Sequence, residues 1–168
     1  MTVINLDTIK QPVAKQVQFG GKKYNLLPDD DLDDLIEQME AEQARVLGDH
    51  REIVKTSDKA DKLQNASSEK MLDFYNKHAK TLLQEQKSIA TEMQAAYVDF
   101  FNSALLDEDN EECEAGKLLS KFWDNRTVML ATFYNKISAM RQQEQAESEK
   151  QFNDLTQEAL GKADKVKE

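Results

Sequence analysis

Few residues in this chain are of types that react, and their spacing decides what they can do. The histidines His50 and His78 stand apart from each other and from the single cysteine, Cys113, so neither has the spacing of a metal-ligand pair. Asp29, Asp31, Asp33 and Glu40 fall at the first, third, fifth and twelfth places of a calcium-binding loop. The sixth place, however, is Asp34 where such a loop needs glycine, and Leu32, Leu35, Ile36 and Met39 weave a helical stripe through the same residues. Acids opening a helix are therefore expected there, where the N-terminal dipole favours them. Cys113 lies among Asp107, Glu108, Asp109, Glu111, Glu112 and Glu114, which oppose thiolate formation and make it a poor nucleophile. With no glycine-rich phosphate loop or nucleophile elbow, the expectation is a protein that is not an enzyme and has no metal or cofactor.

The elements that carry these residues follow from composition. The chain has 168 residues, 32% of them charged, with five Gly and two Pro. That composition favours one domain of long helices. Of the formal charge of -10, Lys10, Lys15, Lys22 and Lys23 against Asp7 give the first 27 residues +3 and leave -13 on the rest. An acidic body of this kind repels phosphate backbones and anionic head groups, so neither nucleic acid nor membrane is expected as a partner. The N-terminus lacks a signal-peptide pattern and no apolar run is long enough for a membrane span, which leads us to expect a cytoplasmic protein.

The expected fold class is mainly α: a short N-terminal β-hairpin followed by an elongated antiparallel bundle of long helices. Residues 1–28 form an arm and hairpin, 29–140 the helical body, and 141–168 a projecting polar helix and tail. In the arm, Val3, Ile4, Leu6 and Ile9 form a short apolar segment. Two alternating runs then flank Gly20-Gly21, the composition of a two-residue turn, which places Val17 opposite Tyr24 and Phe19 opposite Lys22. Val17, Phe19, Tyr24 and Leu26 then share one greasy face. A lone two-stranded hairpin is marginal in water, so this one must lie on the helices, pair with another chain, or both; these four residues are the candidate self-association site.

After Pro28 the first helix is expected to run on through Val46, Leu47, Ile53 and Val54, with Gly48 a place to bend or end. Residues 56–68 read as a polar linker. From Ser68 to Leu106, Leu72, Ala79, Gln86, Met93 and Phe100 share one heptad column and Tyr75, Leu82, Ile89, Ala96 and Ser103 the next. One unbroken helix over this stretch would span about 58 Å. Past the acidic connection, Lys117 to Met140 carries Leu118, Leu119, Phe122, Met129, Leu130, Phe133, Ile137 and Met140, an antiparallel partner for that seam. Arg141 to Gln151 is polar and should project, before Phe152, Leu155, Ala159 and Leu160 restore a small apolar patch. The Met and aromatic surplus on these helices suits a surface that receives another polypeptide, and Tyr97, Phe101, Trp123 and Tyr134 are the candidate client-binding residues.

Two stretches together resemble a known family. Val17-Gln18-Phe19-Gly20-Gly21-Lys22-Lys23-Tyr24-Asn25-Leu26 is similar to the opening hairpin of the small tail assembly proteins and tail assembly chaperones of long-tailed phages of Gram-positive bacteria. Tyr97-Val98-Asp99-Phe100-Phe101, leading through Glu114-Ala115-Gly116 and Leu118-Leu119 to Phe133 and Ile137, resembles the helical hairpin that follows in that family. The acidic insertion at 109–112 and the long polar helix after Met140 depart from the pattern. The resemblance implies a non-enzymatic factor that holds the tape measure protein, helps recruit tail tube subunits and self-associates as a homo-oligomer in the bacterial cytoplasm. A permanent helical component of a virion would carry the same hairpin and seam, and an acidic inhibitor that sequesters a host protein would fit the charge.

Overall fold

The computed structural model describes residues 15–51, 55–56, 58–59 and 67–164, with side chains as far as 157. The apolar arm at 3–9 and most of the 56–68 linker lie outside the described residues, as do Ile53, Val54 and the side chains of Ala159 and Leu160. The described chain is mainly α: a small antiparallel sheet and four helices. Strand β1 is Gln16–Phe19 and β2 is Lys22–Leu26. Helix α1 is Asp29–Asp49 and α2 is Ser68–Ala104. A two-residue strand β3, Leu105–Leu106, follows directly, then α3, Ala115–Phe122, and α4, Thr127–Asp164.

The hairpin has the expected register, with Val17 opposite Tyr24 and Phe19 opposite Lys22. Gly20 and Gly21 take φ of 57° and 79°, the left-handed conformations that a tight two-residue turn needs and that glycine adopts without a Cβ clash. Phe19 and Tyr24 stack at 4.4 Å between ring centroids and are buried among the helices. The sheet gains a third member from the chain itself: Leu26 pairs with Leu105 and Asn25 with Leu106. Consequently β2 is paired on both sides at Asn25 and Leu26, and β1 and β3 form the two edges, that of β3 bridged at Leu106 to Glu112.

Side-chain partners fix how the helices run. Gln43 reaches Tyr97 while His50 reaches Glu92, so α1 lies antiparallel to α2. Gly116 meets the backbone of Val98 and Asn102 while Ser120 meets Gln94, so α3 is antiparallel to α2 as well. The stripe from Lys117 to Met140 is thus divided between two helices, because Asp124 and Asn125 adopt φ of 51° and 57° and turn the chain. Their short polar side chains tolerate that conformation. The Asn125 N–H bonds the Ser120 carbonyl at 2.7 Å, closing α3, and α4 then runs back antiparallel to α1.

The core lies where α1, the last third of α2, α3 and the first half of α4 meet the hairpin. Leu32, Val46, Phe101, Leu105, Leu119 and Leu130 are its fully buried large side chains. Toward its N-terminus α2 departs from the heptad reading: Leu72 and Tyr75 are exposed, while Met71, Phe74, His78, Leu82, Glu85 and Ile89 are half-buried. Met71, Leu82, Met93 and Ala104 recur every eleven residues, close to the period of a straight α-helix. A strict seven-residue count drifts off that stripe by one position in three heptads, reaching Leu72 from Met93 where the stripe reaches Met71.

Helix α4 does not leave the body at Met140. Arg141 is buried and its Nε and Nη2 donate to Asp33 Oδ1 and Oδ2, each at 2.8 Å. It also pairs with Asp29 and Glu144 at 2.8 Å, and Lys15 bridges the same two carboxylates. Gln145 adds a bond to Asp33 at 2.7 Å. These contacts tie the opening of α1 to the middle of α4. The side chains of 146–157 are exposed apart from half-buried Leu155, so the projecting part begins five residues later than the boundary at 141.

Candidate polypeptide-binding groove

Where α1 and α2 lie side by side, their solvent-facing sides leave an open groove of about 420 Å³. Its floor is apolar: Leu35 and Met39 come from one turn of α1, Ala96 and Phe100 from one turn of α2. These pairs are four residues apart, which puts each on a single helix face. Ala95, small and exposed, holds the wall low on the α2 side. Gln38 and Ser103 complete one end.

The rim is charged. Arg45 donates to Glu42 from Nε at 2.8 Å and from Nη2 at 2.6 Å, and to Asp49 at 2.6 Å; its Nη2 lies 3.6 Å from Glu92. Glu92 lies 2.9 Å from the His50 ring nitrogen and accepts from Ser88. The Arg45 bond holds the Glu42 carboxyl below its usual range, and the His50 bond does the same for Glu92. Both are therefore ionised near neutral pH. With Asp99, three carboxylates face one guanidinium that is already engaged. Chemically this is a slot for an apolar side chain carried by a chain with positive charge beside it.

The residues singled out from the sequence sit elsewhere. Tyr97, Phe101 and Tyr134 are buried in the chain's own core, as are Phe19 and Tyr24 of the hairpin face; Val17, Leu26 and Trp123 are half-buried. The structure brings Tyr97 to Tyr134 at 5.7 Å, and links Phe101 and Trp123 through Phe133 at 5.0 and 5.9 Å. Large aromatic rings fill the layers between α2, α3 and α4, and a ring spent there offers no surface to a client. Burial pushes the Tyr134 hydroxyl up to about 12 and raises those of Tyr97 and Tyr24. Burial likewise raises the Cys113 thiol, whose Sγ donates to the Leu105 carbonyl at 3.3 Å.

Asp29 and Asp33 belong to the Arg141 and Lys15 network, and no group of carboxylates, histidines and cysteine among the described residues is arranged to hold a metal ion. No helix among them is long and apolar enough to cross a membrane.

Sequence reading missed two apolar surfaces. The groove floor was hidden because Met39 and Phe100 each belong to a core stripe and serve it from below. The second is the α3–α4 corner, where Leu118, Phe122, Val128 and Met129 are exposed. Adjacent leucines gave a signal there: Leu118 and Leu119 point about 100° apart on a helix, so only one can face the core. Set against family models, curated proteins and solved structures, the chain matches none of them.

Proposed function

We propose that this chain is a non-enzymatic assembly chaperone of the long-tailed phage type, one that binds and solubilises the tape measure protein and helps recruit tail tube subunits. The observation that carries the reading is the groove between α1 and α2: an apolar floor of Leu35, Met39, Ala96 and Phe100 inside an acidic rim. A long tape measure helix is apolar before a tube encloses it, and such a groove takes one anchor side chain at a time. The formal charge of -10 keeps the resulting complex soluble.

Co-expression with the tape measure protein tests this directly. The client should stay soluble and co-purify, and Ala95→Trp, which fills the groove from an exposed position, should weaken the complex about tenfold or more. A client that remains insoluble, or a complex indifferent to Ala95→Trp, overturns the reading. Mass spectrometry of finished particles separates a chaperone, which leaves, from a permanent virion component, which stays. Capture of a host protein in the absence of any phage protein would instead favour sequestration.

A further inference from the structure

The two ends of α4 differ in charge and in what they expose. At its N-terminal end Leu118 and Phe122, one turn apart on α3, present an apolar ledge, and the Phe122 ring is 55% exposed. Phe19 lies beside it at 6.0 Å, and Lys22, opposite Phe19 in the hairpin, brings a positive charge to that face. Lys121 and Arg126 flank the ledge, and all three cations make no ion pair among the described residues. With Asp124 the one exposed acid of residues 118–128, this is a net basic corner on an acidic molecule.

The distal part of α4 has the opposite character. Among the side chains described from 146 to 157, Glu147, Glu149 and Asp154 are exposed, against the one cation Lys150. Phe152 is 68% exposed and Leu155, three residues on, lies on the same side. An exposed phenylalanine on an acidic rod is the complement of an exposed phenylalanine on a basic ledge.

The rod cannot reach its own ledge. Phe152 is 24 residues beyond Val128 on one unbroken helix, about 36 Å away along the axis. We propose that a second copy of this chain docks the distal part of its α4, through Phe152 and Leu155, on the ledge of Leu118 and Phe122, so that molecules join head to tail. The acids of the rod meet Lys22, Lys121 and Arg126, and the two phenylalanines supply the buried centre of the contact. Because the two surfaces differ, the contact is heterologous: it propagates until a ring closes or the client limits it. It does not depend on which client the groove accepts.

Sedimentation of the full chain over a wide concentration range tests the proposal. The wild type should assemble with rising concentration, and less so in high salt. Phe122→Asp and Phe152→Asp should each be monomeric alone, losing about tenfold or more in affinity. Mixed, they should form a one-to-one dimer, because Phe122→Asp keeps an intact rod and Phe152→Asp an intact ledge. Lys121→Glu, at an exposed position that leaves the core untouched, should weaken assembly as well, with circular dichroism confirming that each variant is folded. A wild type that stays monomeric, variants that still self-associate, or a mixture that fails to pair would overturn the proposal.

Discussion

Arg141 shows how much a single residue can decide. It is buried against Asp33, Asp29 and Glu144, so removing it leaves three carboxylates facing one another with only Lys15 between them. Arg141→Ala should cost about 2 kcal/mol, less than a fully buried pair because the acids are partly exposed, as urea unfolding would measure. The Arg141 bonds hold the Asp33 carboxyl below its usual range. A carboxyl with a depressed folded pKa stabilises above its unfolded value of about 4 and loses that contribution as pH falls through the folded value. Thermal melts at falling pH should therefore drop more steeply for the wild type than for Asp33→Asn, which has no charge to lose. Tyr134 makes the opposite case: its buried hydroxyl has no hydrogen-bond partner among the described residues. Tyr134→Phe should raise stability by about 1 kcal/mol in the same urea assay.

At the scale of elements, α3 sits against α2 with no room for a side chain at Gly116. A Cβ on Gly116 would lie 2.0 Å from the Val98 carbonyl oxygen and 2.9 Å from the Asn102 nitrogen, both backbone atoms. Gly116→Ala should cost about 3 kcal/mol or more and lower the unfolding midpoint accordingly, since neither helix can yield without disturbing Phe101 and Leu119 behind it. Asn102 also accepts from the N–H groups of Gly116 and Lys117, at 2.9 and 3.3 Å, and so caps the start of α3 from a neighbouring helix. Asn102→Ala should cost about 1 kcal/mol.

Such cross-helix ties explain what the sequence concealed. The hairpin was legible to the exact pairing because alternation and Gly20-Gly21 are local signals, as was the helical class from scarce Gly and Pro. The strand Leu105–Leu106 read as helix, because only its meeting with Asn25 and Leu26 makes it a strand. Likewise Arg141 looked like part of a free rod, its partner Asp33 lying 108 residues away. The aromatic residues singled out for a client fill the layers between α2, α3 and α4 instead, and the groove became visible only when α1 was laid beside α2.

Over the whole molecule, exposure concentrates on surfaces that face different ways: the groove on one flank, the basic ledge at one end of α4, and the acidic rod at the other. Trp123, the chain's only tryptophan, stands at the ledge with Phe122 at 6.1 Å and Phe133 at 5.9 Å, and contributes nothing to the groove lining. Its indole is half-buried, so its emission colour responds to whatever excludes solvent from that corner. The protein therefore carries an internal optical gauge: occupancy of the flank should leave the spectrum in place, while contact at the corner should shift it to the blue.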